Sequence, residues 1–142
     1  MTDALLVLRK LTLLREHARR VRRRRPGTSA AFKADVDLQD ALALSLLVAI
    51  QEALDIALHI AADEGWGVPA SYAEGFELLA RHGVLDQEQA AALGRMAALR
   101  NRIAHGYAAV DLERLWSEIP AGLQTLEDYG AAIAGFIGPA AP

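Results

Sequence analysis

Leu38-Gln39-Asp40-Ala41-Leu42-Ala43-Leu44-Ser45-Leu46-Leu47-Val48-Ala49-Ile50 is apolar at nearly every position, and this run sets the architecture. Leucine and alanine dominate it and both favour helix, so it predicts a long helix from about Asp37 to Asp63 rather than a strand. A helix apolar on nearly all sides sits at the centre of a bundle or against a second copy of the chain. Asp35 or Asp37 supplies its N-terminal cap and Gly65 its stop. Its uncharged part, Ala41 to Gln51, falls well short of the roughly 18 residues that suggest a membrane span.

Outward from this run the signals stay helical. On the N-terminal side Leu5, Leu8, Leu11, Leu14 and Val21 recur at helical spacing, giving a first helix from about Asp3 to Arg25 that stops at Pro26-Gly27-Thr28. On the other side a capping box of Ser71 and Glu74 opens a helix that Gly83 closes. Asp86-Gln87-Glu88-Gln89 repeats the capping pattern and opens a helix carrying Leu93, Met96, Ala97 and Arg100, which Gly106 loosens or ends. Asp111 caps a fifth helix with Leu112, Leu115, Trp116, Ile119, Leu123 and Leu126, and Pro120 is expected to kink or split it. The prediction is an all-α antiparallel bundle of about five helices, with one domain over residues 1–137 and a frayed tail over 138–142.

Composition agrees. The 142 residues fit one domain, 53 % are hydrophobic and only 6 % aromatic, which favours helices over sheet. The absence of cysteine excludes disulfides and thiolate metal sites and fits a reducing compartment. The apolar stretch before Arg9-Lys10 is too short, and the charge lies on the wrong side of it, for a secretory signal. The expectation is a soluble, cytoplasmic chain with no membrane partner. The net charge of −3 is unevenly spread: residues 1–35 carry ten Lys/Arg against three Asp/Glu, residues 36–142 five against fifteen. Arg19-Arg20-Val21-Arg22-Arg23-Arg24-Arg25 places six arginines in seven positions. Such a run suits a solvated helix C-terminus. It also makes Arg22, Arg23, Arg24 and Arg25 candidates for salt-dependent RNA contacts.

The chemistry concentrates in Arg100-Asn101-Arg102-Ile103-Ala104-His105-Gly106-Tyr107, which fits R-x4-H-x-Y. Arginine holds phosphate oxygens in a planar fork, and histidine moves protons near neutral pH. On a regular helix Arg100 and His105 lie about 140° apart, whereas Asn101 and His105 share a face. Either Arg100 reaches round, or His105 swings at a helix end near Gly106, or two copies of the motif meet across a dimer. The dimer is preferred, because one imidazole does not easily serve as both base and acid in one transesterification. Glu52, Asp55 and His59 lie on neighbouring turns. They lack a metal-binding spacing and are read as a polar network in which Glu52 and Asp55 orient Arg100 or Arg102. Trp66, Tyr72, Phe76 and Trp116 read as core or interface.

Three blocks in order resemble the HepT-like toxins of the HEPN-domain ribonucleases. They are Ile50–Ile60, then Pro69-Ala70-Ser71-Tyr72 with Phe76–Leu79 and Gly83–Asp86, and finally Leu99–Tyr107 with Asp111-Leu112. The resemblance covers roughly residues 32–135. Gly106, where the family often has a larger residue, and the arginine-rich first helix depart from it. It implies a homodimer with the cleft at the interface and RNA, messenger or transfer, as substrate. Arg100 and His105 are then catalytic, Asn101 and Arg102 support them, and no metal or cofactor is needed. It also implies an MNT-type nucleotidyltransferase antitoxin that AMPylates Tyr107. The alternative is a non-catalytic HEPN module that binds or regulates such a nucleotidyltransferase.

Overall fold

The structure, a computed structural model, describes residues 1–106 and 110–138. Among the described residues there are six helices and no strand: α1 (Ala4–Arg24), α2 (Ser29–Lys33), α3 (Val36–Asp63), α4 (Tyr72–Arg81), α5 (Gln87–Gly106) and α6 (Leu112–Ile137). The expected caps form. Asp35 rather than Asp37 caps α3, its Oδ1 accepting from Leu38 N at 3.0 Å. Ser71 Oγ accepts from Glu74 N, while the Glu74 carboxylate reaches back to Ala70 N. Asp86 and Gln89 exchange side chain to backbone bonds of 2.7 and 3.0 Å, a complete capping box. Gly65 and Gly83 close α3 and α4 at φ +73° and +77°, the left-handed conformation that favours glycine.

Helix α3 is the axis, and every other helix packs against it. Helix α1 runs antiparallel along α3, from Met1 beside Asp63 to His17 beside Ser45. By length and hydropathy alone an 18-residue window of α3 would suit a membrane. That window is 56 % buried by neighbouring helices, which is the profile of a bundle core. The core stripe of α1 is Val7, Leu11, Leu14 and Val21. Leu5 and Leu8 share the helical spacing but lie to one side of that arc and stay exposed, at 60 % and 41 %.

Two expectations change. A short helix, α2, follows the first one, capped by Thr28 Oγ1 accepting from Ala31 N at 3.2 Å. It buries Phe32, so Thr28 begins an element as well as ending a turn. Pro120 neither splits nor ends α6, which is continuous from Leu112 to Ile137. Proline lacks the N–H that would bond the carbonyl four residues back, here that of Trp116. Arg25 Nε donates to this oxygen at 3.1 Å, and its guanidinium lies 4.1 Å from the Trp116 ring centroid. Trp116 Nε1 in turn donates to Pro26 O at 2.9 Å. Arg25→Ala should therefore cost about 1.5–3 kcal/mol in urea unfolding. In a Pro120→Ala background the loss should shrink, because the restored N–H fills the vacated acceptor; fully additive costs would refute this account.

Candidate active site on the fifth helix

Helix α5 buries Leu93, Met96, Ala97, Leu99 and Ile103, which leaves Asn101, Arg102 and His105 exposed. Arg100 lies at the edge of the buried arc and is half-buried against α3. Its Nε donates to Gln51 Oε1 at 3.1 Å, and its Nη1 to Asn101 Oδ1 at 3.2 Å. The guanidinium carbon stands 5.6 Å from the Tyr72 ring centroid. Gln51 Nε2 donates to Asp55 Oδ1 at 3.1 Å, so the amide is held at both ends. Lys10 Nζ lies 3.5 Å from Glu52 Oε2 and 3.6 Å from Asp55 Oδ2. Glu52 Oε2 is buried with no hydrogen-bond partner, so the ammonium charge of Lys10 is its compensation. Two turns further along α1, His17 Nδ1 sits 3.4 Å from Ser45 Oγ. Burial lowers the His17 pKa and Arg20 adds to this, against Glu16 and Glu52.

The polar network expected around Glu52 and Asp55 thus exists and reaches Arg100 through Gln51. It does not reach Arg102, whose Nη2 points to α6 and lies 3.8 Å from Glu118 Oε2. Asn101 binds Arg100 through its oxygen. Within one chain Arg100 and His105 occupy separate faces of α5, as the helical spacing requires. Tyr107 lies outside the described residues. Of the basic run, Arg23 and Arg24 are exposed, Arg22 pairs with Glu127 at 3.3 Å, and Arg25 is turned onto α6. Gln51, Tyr72 and Lys10 were not singled out as site residues. The signal for Gln51 was its place as the first polar group after the apolar run, four residues before Asp55.

Comparison with known proteins places the sequence and the fold. A family model described as ribonuclease HepT-like matches residues 14–133, reaching back into α1. The mRNA nuclease HepT of Shewanella oneidensis is 31 % identical over 103 residues, covering 72 % of this chain and 77 % of that protein. A chain from a toxin–antitoxin crystal structure with AMP-PNP superposes with a TM-score of 0.83 at 27 % identity, covering 94 % of this chain and 100 % of that one. The tri-AMPylated Shewanella oneidensis HEPN toxin, solved in complex with its MNT antitoxin, gives 0.83 at 28 %, covering 94 % and 98 %. On its sequence and its six-helix bundle, this chain belongs to the ribonuclease HepT-like family of HEPN toxins.

Proposed function

We infer that this protein is the toxin of a toxin–antitoxin pair and cuts RNA without a metal, at a site that two copies of the chain complete. The observation that carries this reading is the mounting of Arg100. A half-buried guanidinium is held by Gln51, Asn101 and the Tyr72 face, with its Nη2 donors unused by those contacts. That is a preorganised cation for a phosphate. His105, about 140° round the helix, comes to the same phosphate from a second chain. The α3 face that carries Gln51 supports such pairing, because Leu44, seven residues earlier on the same face, is 60 % exposed.

In this reading one His105 takes the proton from a ribose 2′-hydroxyl, and the 2′-oxygen attacks the adjacent phosphorus. The partner copy's imidazolium gives its proton to the departing 5′-oxygen. Arg100 stabilises charge on the non-bridging oxygens. The products are a 2′,3′-cyclic phosphate and a 5′-hydroxyl. Arg23 and Arg24, with Arg22, lend salt-dependent attraction for the RNA backbone. The test is labelled RNA incubated with the purified protein in excess EDTA. Cutting that persists and leaves cyclic-phosphate ends is expected. Cutting that stops in chelator removes the metal-free mechanism, and no cutting under any condition leaves a non-catalytic module for a nucleotidyltransferase.

A mode of regulation is suggested by the tri-AMPylated Shewanella oneidensis toxin. An AMP group on Tyr107 puts a phosphodiester anion two residues from His105, where it repels or blocks an RNA phosphate. Co-expression with an MNT-type nucleotidyltransferase should add the mass of AMP to Tyr107. Neutralised toxicity with Tyr107 unmodified would sink this part.

A further inference from the structure

On the other side of α5 from Arg100, a groove between α5 and α6 encloses about 290 Å³. That is close to the lower end of small-molecule sites. Its floor is apolar: Leu46, Met96, Leu99, Ile119 and the backbone at Gly122. A Cβ on Gly122 would stand 3.1 Å from Met96 Sδ, so the missing side chain leaves room for the thioether at the bottom. The rim is cationic. Residues 36–142 contain five Lys/Arg in all, and three of them, Arg95, Arg102 and Arg114, line this one cavity. Against these three guanidiniums stands one carboxylate, Glu118, bound by Arg114 Nε at 2.6 Å and faced by Arg102 at 3.8 Å.

The rim also has a direction. Arg95 and Arg102 are seven residues apart on one face of α5, about 10 Å of rise, and His105 follows one turn beyond, about 60° round. Past Arg95 the surface turns acidic, with Asp86, Glu88 and Asp128 around the next hollow. The positive strip therefore starts beside His105 and ends at the cavity. An apolar floor of nucleobase size beneath several phosphate-binding forks matches one nucleotide better than an acidic peptide, whose carboxylates carry no large planar apolar group.

We propose that this groove is a subsite for one nucleotide of the substrate strand outside the step being cut, with its base over Met96 and its phosphate on Arg95 and Arg114. The proposal rests on the ribonuclease reading and adds to it a residue-level source of sequence preference. The chain has two methionines, Met1 fully exposed and Met96 in the groove floor, so [13C]methyl-methionine labelling gives one reporter inside the site and one outside. The experiment titrates the labelled full-length protein with a 2′-O-methyl oligoribonucleotide, which cannot be cut. AMP, adenosine, inorganic phosphate and polyglutamate are titrated separately.

The oligonucleotide should shift the Met96 methyl signal saturably and leave Met1 still. AMP should do so more weakly, and adenosine or phosphate alone hardly at all. Arg95→Glu with Arg114→Glu should weaken the oligonucleotide response by about tenfold or more, with the ligand-free Met96 signal in place as the fold control. Arg81→Glu, outside the groove, should not. A Met96 signal that no nucleotide moves overturns the subsite, as does a response untouched by the arginine reversals. AMP binding tighter than the strand reassigns the groove to a free nucleotide, and saturation by polyglutamate reassigns it to a protein partner; either overturns the proposal. Unmodified RNA that is cut while Met96 stays still sinks the subsite alone. A moved Met96 with RNA left whole sinks the nuclease reading, and with it the groove's role as a substrate subsite, while leaving nucleotide binding there in place.

Discussion

His105→Ala is expected to lower RNA cleavage by about 10²–10⁴-fold, the range for losing a positioned proton-transfer group. The loss should come without a loss of fold, because His105 is exposed near the C-terminal end of α5 and is no part of the core. Unfolding midpoints of the variant and its parent should agree while the rates differ. Arg100→Ala should behave differently. It removes the cation and also leaves Gln51 Oε1 and Asn101 Oδ1 without their donor, so both rate and stability fall. A folded His105→Ala protein that cuts RNA at the parental rate would remove His105 from the mechanism.

The largest effect on stability is expected from Phe76→Ala, at about 3–5 kcal/mol. Phe76 has no exposed surface and meets Tyr129 edge-on at 5.7 Å, so α4 and α6 are keyed together there. Tyr129 is itself fully buried and donates its hydroxyl proton to Ala53 O of α3 at 2.8 Å. Burial pushes the Tyr129 pKa well above its ordinary value, so the phenol stays a donor. Tyr129→Phe should lose only that bond, about 1 kcal/mol. Urea midpoints at an unchanged slope measure both. A Phe76→Ala loss no larger than that of Tyr129→Phe would show that the two rings do not form the key.

Why some of this was legible in the sequence and some not follows from the range of each interaction. Caps are local, so Ser71 with Glu74, Asp86 with Gln89, and Asp111 announced their helices within four residues. The central position of α3 was visible because an apolar run without a polar face has nowhere else to go. Thr28 hid a helix because Pro26 and Gly27 beside it look only like a stop. Pro120 misled for the opposite reason, since the donor that rescues its helix, Arg25, lies just past the end of α1. The motif was legible as chemistry, but the mounting of Arg100 was not. Gln51 and Tyr72 come from α3 and the start of α4, and nothing local ties them to residue 100.

The bond from Arg25 to the Trp116 carbonyl spans 91 residues. Helices α1 to α5 have most of their local partners before α6 exists, yet the acceptor that Pro120 leaves open appears only with the last helix. A chain still emerging from the ribosome therefore carries an unlatched amino-terminal segment and a partly bare α3. The latch between α6 and the segment after α1 therefore closes only once α6 has been made, which makes it one of the late events in folding of this bundle.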